Sequence, residues 1–175
     1  MGKIVYRKAR MSDARQLRDH INRLIREDAQ VAFAPGKPFT LKEEKAWLKN
    51  SVTRVRKGDA VSIVAEVDGR VVGNVGISRE GSRARPTHMM HYGLFGIAIS
   101  DPDFRGKKIG ERLARLALTE AKKIGISLVA LDPFSCNAPA IALYKKLGFR
   151  ECGRIPGGVL YKGKYVDRIM MFKRL

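Results

Sequence analysis

The chain has 175 residues, 45% apolar and 30% charged, with 35 Lys and Arg against 17 Asp and Glu, a formal charge of +18. One domain of this length buries a real core. Two cysteines, Cys136 and Cys152, exclude a disulfide scaffold or a zinc knuckle, and no apolar run approaches the ~20 residues of a membrane span. The opening "MGKIVYRKAR" lacks the apolar stretch of a signal peptide, and Tyr6 stands where a myristoylation signal needs Ser or Thr, so a cytoplasmic location and reduced thiols are expected.

"KIVYRKA" reads as a first strand. Ser12 can cap a helix from Asp13 through Arg26, with Ala14, Leu17, Ile21, Leu24 and Ile25 on one face. "VAFAPGKPF" is a loop. Thr40 and Glu43 have capping-box spacing, which predicts a second helix from Leu41 to about Arg56. "AVSIVAEV" and "RVVGNVGIS" are strands joined by a tight turn at Asp68-Gly69. After a basic loop, "MMHYGLFGIAIS" is a long strand, with Gly93 and Gly96 marking a bulge or a close backbone approach.

Ile109, Leu113, Leu116, Ala117 and Ile124 repeat at helical spacing up to Gly125. "SLVALDPF" is a strand, and Asn137 caps a short helix that ends before Gly148. "FRECGRI" and "YVDRIMMFKRL" are the last strands, with the turn-rich "PGGVLYKGK" between them. The order β-α-α-β-β-β-α-β-α-β-β describes a mixed, mostly antiparallel α/β sheet of about seven strands, with four helices on both faces. The strand–helix–strand unit from His91 to Asp132 should be parallel and right-handed. A ligand belongs beyond the carboxyl end of its first strand.

"FRGKKIG", residues 104–110, sits at that place. A helix start presents unpaired N–H groups and a dipole that favours anions. Gly106 allows close backbone approach, Gly110 allows tight packing of the first turn, and Arg105, Lys107 and Lys108 add counter-charge. This suits a pyrophosphate, although a helix start with solvated charges explains the same seven residues. "GVLYKGKY" fails as a P-loop at Tyr165, where magnesium needs Ser or Thr, and it leads into a strand.

"GIAISDPDFRGKKIGERLARLAL" followed by "LVALDPFSCNAPAIALYKKLGFRECGRI" resembles the GNAT superfamily of N-acetyltransferases, over roughly Gly96 to Ile155. The family's loop pattern is Arg or Gln, two residues, Gly, any residue, then Gly or Ala; Arg105 and Gly110 match, and Lys108 replaces the first Gly. The resemblance implies one acetyltransferase domain over residues 1–175, with its cofactor-binding core at about 89–155, and acetyl-CoA as donor. The backbone from Arg105 through Gly106, Lys107, Lys108 and Ile109 to Gly110 would hold the pyrophosphate. The strand edge Ile97, Ala98 and Ile99 would pair with the pantetheine arm, and one of its N–H groups would polarise the thioester carbonyl. Asn137 would bind the cofactor or line its channel. Tyr144 would bind it and, as general acid, protonate the leaving thiolate.

An amine would attack directly in a ternary complex. Asp132 is the leading candidate for the base, followed by His91, Tyr92 and Glu80. Trp47 and Phe39 are candidates for the acceptor pocket, and Asp28, Glu27, Glu43 and Glu44 could make it locally acidic. The acceptor is expected to be a peptide or protein amine, or a small primary amine. Members of the family often pair, so a homodimer is open.

Bland readings stand beside these. Tyr144 shares helical spacing with Ile141 and Leu147 and could be core; Asn137 caps a helix in either case; Asp132 before Pro133 could be a turn residue; Trp47 could be core. His88 and His91 make no metal pattern, and Cys136 reads as an inert thiol. The second class of function is a basic nucleic-acid- or ribosome-associated binding protein without catalysis, which rests on the +18 charge alone.

Overall fold

Val61, Ile63, Ala65 and Val67 alternate along one strand and enter one buried cluster, while Val64 enters another. That strand is therefore covered on both faces. In the computed structural model, which describes residues 2–31, 36–99 and 101–175, it is β2 (Ala60–Val67). The other strands are β1 (Ile4–Lys8), β3 (Arg70–Arg79), β4 (Tyr92–Ala98), β5 (Leu128–Leu131), β6 (Arg150–Tyr161) and β7 (Lys164–Arg174). The sheet runs β1-β2-β3-β4-β5-β7-β6, and only β4 and β5 pair in parallel. Helices α1 (Ala14–Arg26) and α2 (Leu41–Arg56) pack on one face through Leu17 and Leu48. Helices α3 (Ile109–Lys123) and α4 (Ala138–Lys146) pack on the other, through Leu113, Ala117, Ile141 and Tyr144. No described helix is long and apolar enough to cross a membrane.

Local chemistry sets most of the boundaries. The Thr40 hydroxyl accepts from the Glu43 N–H at 3.2 Å, and the Glu43 carboxylate accepts from the Thr40 N–H at 2.7 Å, closing the expected capping box. Asp68 and Gly69 both take positive φ in the β2–β3 turn.

Four expectations change. Ser12 lies in a short 3₁₀ turn, Met11–Asp13, rather than capping α1, and no side chain caps α1: the Asp13 carboxylate instead reaches back to accept from the Arg10 N–H at 2.8 Å and from Arg7 at 2.7 Å. β4 begins at Tyr92 rather than Met89. Gly96 makes neither a bulge nor a close approach, because β4 pairs with β3 without a register shift and nothing lies within 4 Å of a Cβ built there. Residues 156–161 continue β6 instead of turning; the register shift between Ile155 and Val159 absorbs Pro156, Gly157 and Gly158 on an edge strand. Of the expected loop at 31–39, residues 32–35 lie outside the described residues, as does Ser100 at the end of the expected long strand.

Two of the buried titratable groups, Glu44 and His20, are shifted far from their ordinary range. Glu44, 2% exposed, has no partner for Oε1 among the described residues, and burial pushes its carboxyl up to about 7. His20, 3% exposed, is pushed down to about 4, first by burial and then by the charges of Arg23 and Arg105, against hydrogen bonds with Ala98 and Asn74. The signs are opposite. Rising pH ionises Glu44 in the unfolded chain first, so stability falls between 4.5 and about 7. Falling pH protonates unfolded His20 first, so stability falls between 6.5 and about 4. In urea titrations the advantage of Glu44→Gln over the parent should be about 3 kcal/mol larger at pH 8 than at pH 4.5. His20→Gln should flatten the acid limb by a similar amount. A pH-independent difference for Glu44→Gln would contradict its neutral state.

Candidate active site

β4 pairs with β3 along its length, from Gly93 opposite Arg79 to Ala98 opposite Asn74. With β5 it pairs only at Tyr92–Leu94, opposite Leu128–Ala130. The strands start tight, since a Cβ on Gly93 would lie 2.9 Å from Ile77 and 3.0 Å from Ile126. They then separate, and the β5-side edge of residues 95–98 has no strand partner among the described residues. Aromatic rings fill one side of the split. Phe95 meets Tyr144 edge-on at 5.9 Å and 85°, and Phe149 lies 5.9 Å from Phe95 and 6.0 Å from Tyr144. Ile97 and Ile99 reach towards α3, and a Cβ on Gly110 would meet them and Leu143 at 3.8 Å. That is ordinary contact, so Gly110 is not forced by packing in the first turn as expected.

The loop after β4 turns into α3 through two left-handed residues, Gly106 at φ +73° and Lys108 at φ +60°. The first bond into the helix runs from the Arg112 N–H to the Lys108 carbonyl at 3.0 Å. The N–H groups of Lys108, Ile109, Gly110 and Glu111 have no acceptor among the described residues, leaving a row of donors at the positive end of α3. Lys108 takes up the conformation expected of the family's glycine, at a cost of about 1 kcal/mol.

The counter-charge differs from expectation. The Arg105 guanidinium donates to Glu27 at 2.5 Å and to the Ile99 carbonyl at 3.1 Å, so it ties the loop to the end of α1. The Ile99 carbonyl, past the end of β4, is thereby occupied. Lys107 lies over the Phe104 ring at 5.4 Å, with Arg70 also stacked on that ring at 5.7 Å.

Asn137 caps α4, its side chain accepting from the Ala140 N–H at 3.2 Å. Burial, and then the Asp132 charge, push the Tyr144 phenol up to about 12. No hydrogen-bond partner for its hydroxyl occurs among the described residues. Asp132 ends β5 as an ion pair with Arg168, the two side chains 44% and 50% exposed. Such a half-exposed pair is worth only about 0–1 kcal/mol of stability. Its position is rigid nonetheless: Phe134 bridges to Arg168, and Ile169 N–H donates to the Pro133 carbonyl at 3.0 Å.

Tyr92, on the face of β4 opposite Phe95, is pushed up by burial and then by the charges of Glu80, Cys152 and Asp132. The Asp132 charge thus reaches both Tyr144 and Tyr92. Among the other candidates, Trp47 is 49% exposed rather than core, and Phe39 is held through its backbone by Asn22 at 2.7 and 2.9 Å. Cys136 and Cys152 are free and exposed. Sequence reasoning did not single out Arg168 or the Glu27–Arg105 pair. Both depend on contacts 36 and 78 residues apart, which no local spacing announces.

A cleft of about 320 Å³ lies elsewhere, between β1, β2 and the distal part of α3, lined by Tyr6, Ser62 and Leu116 among others. It lacks the donor row and the aromatic split, and geometry rather than size marks the site.

The family model described as "Acetyltransferase (GNAT) family" matches residues 20–149. An L-methionine sulfoximine/L-methionine sulfone acetyltransferase of Pseudomonas aeruginosa is 27% identical over 138 residues, covering 77% of this chain and 74% of that protein. A ribosomal protein bS18-alanine N-acetyltransferase of Escherichia coli is 41% identical over 58 residues, covering 33% of this chain and only 38% of that protein. The fold matches an acetyltransferase structure from Salmonella typhimurium, solved with acetyl-CoA, at TM-score 0.84 and 21% identity, over 98% of this chain and 94% of the other. A chain that joins this split sheet and this donor row to a family match over residues 20–149 belongs to the GNAT acetyltransferases, enzymes that move the acetyl group of acetyl-CoA to an amine.

Proposed function

We propose that this chain acetylates a small primary amine or a peptide amino terminus, with the donor on the α3–α4 side of the split and the acceptor on the opposite face. The observation that carries this reading is the edge of residues 95–98, without a strand partner on the β5 side among the described residues, which leads to the α3 amides that have no acceptor among them, beside Tyr144. The amides of residues 106–110 hold the pyrophosphate, with Lys107 and Lys108 nearby as counter-charge. Ile97 and Ala98 offer backbone groups to the pantetheine arm, and an N–H of this edge faces the developing oxyanion. Ile99 contributes its side chain rather than its carbonyl, which Arg105 holds. Asn137 shapes the channel from the start of α4.

When bound, acetyl-CoA supplies an acyl carbon carrying a thiolate leaving group. The Tyr144 hydroxyl, with its pKa near 12, stays protonated at neutral pH. An ordinary thiol has a pKa near 8.5, so complete transfer from Tyr144 would run uphill by about 5 kcal/mol. Tyr144 therefore donates a hydrogen bond to the departing sulfur, and the proton released by the amine completes the thiol. An earlier proton, the one that makes the ammonium a neutral amine, leaves to solvent by way of Asp132, directly or through one water; the proton that completes the thiol leaves the nitrogen after attack.

The test is thiol release from acetyl-CoA with a panel of free amino acids, peptides and simple amines. Tyr144→Phe should lower kcat about 100-fold, with KM for acetyl-CoA within about 3-fold; an unchanged kcat would remove Tyr144 from the mechanism. Gly106→Ala forces a side chain into φ +73° and should weaken acetyl-CoA binding about 5- to 10-fold by calorimetry. Lys108→Gly should raise stability by about 0.5–1 kcal/mol in denaturant titration, because the left-handed backbone then carries no Cβ.

A further inference from the structure

We infer that Asp132 and Arg168 form an ion-exchange clamp for a zwitterion, so that the acceptor is a free α-amino acid with an uncharged side chain. The inference rests on the acetyltransferase reading and names the acceptor of that same site.

Asp132 and Arg168 are paired, and both are about half exposed. A zwitterion entering there replaces each partner of the pair with its opposite number. Its ammonium takes the place of the guanidinium at Asp132, and its α-carboxylate takes the place of Asp132 at Arg168. Charge balance is kept at each step, and the planar guanidinium fork suits a carboxylate. A peptide amino terminus lacks the carboxylate and would leave Arg168 without an exchange partner.

The placement matches the chemistry. Asp132 lies at the mouth of the β4–β5 split, where its charge reaches both Tyr144 and Tyr92. Arg168 is fixed by the bridge to Phe134 and by its place on β7, and Asp132 is the residue directly after β5. Leu94, 48% exposed, stands beside Ala130 on the same sheet face, and the missing side chain of Gly96 leaves room beyond it. An apolar or uncharged acceptor side chain fits against this strip. The +18 charge opposes a cationic one.

The experiment compares L-leucine, L-leucinamide and a leucyl dipeptide amide as acceptors, in the parent, Arg168→Met and Arg168→Lys enzymes. The parent should favour leucine over leucinamide by about 10–100-fold in kcat/KM, chiefly through KM. Arg168→Met should collapse that ratio to about 1. Arg168→Lys keeps the charge but loses the fork, and should retain part of the preference. A purely structural role for Arg168 would lower both rates together and leave the ratio unchanged, which would overturn the inference. Equal use of the amide or dipeptide by the parent would also overturn it and favour a peptide acceptor, with the transferase reading intact. Thiol release with none of the three amines, in enzyme that binds acetyl-CoA by calorimetry, would overturn the clamp alone; failure to bind acetyl-CoA would instead remove the donor-site reading beneath it.

Discussion

The pairing of β4 with β5 stops after Leu94 and Ala130, while the pairing of β4 with β3 continues to Ala98. Everything proposed for the site depends on that difference. It leaves strand edge without a strand partner inside a sheet, where such groups are normally satisfied. An extended ligand arm can complete the ladder. The same separation makes a slot through the sheet, and the proposed donor and acceptor sites lie on its opposite faces. Gly93 holds the closed end of the slot, and Phe95, Tyr144 and Phe149 wedge the open end.

Charge is distributed around the slot in a way that the total does not reveal. Arg105 is tied to Glu27, Lys146 and Arg115 to Glu111, and Arg154 to Glu151 and Asp167. Most of these pairs are exposed and add little to stability. Their effect is positional: Glu27–Arg105 ties the loop before α3 to the end of α1, and Asp132–Arg168 sets two opposite charges beside the end of β5.

The sequence was readable where chemistry is local. The Thr40–Glu43 box, the Asp68–Gly69 turn, the Asn137 cap and the glycines at 125 and 148 each act within a few residues, and each bounds an element as expected. The family was legible because two blocks stood at its spacing, and its model matches residues 20–149; Tyr144 and the 105–110 loop were singled out on that resemblance, and the structure sets them beside the β4–β5 split. What was not legible is decided by distant partners. Ser12 did not cap α1 because residues 11–13 form a 3₁₀ turn, whose Asp13 is held by Arg7 from β1 and by the Arg10 N–H. β6 ran through Pro156 and Gly157 because β7 accommodates the bulge. Arg105 looked like phosphate counter-charge until Glu27 took it, and Arg168 carried no local signal at all.

The most direct measurement is amide hydrogen exchange, residue by residue, with and without saturating acetyl-CoA. The account predicts slowed exchange on the β4 edge at Ile97 and Ala98 and across residues 108–111, with little change in β1 and β2. Protection confined to other parts of the sheet, or none at residues 108–111 despite full binding, would contradict the placement of the donor in the β4–β5 split.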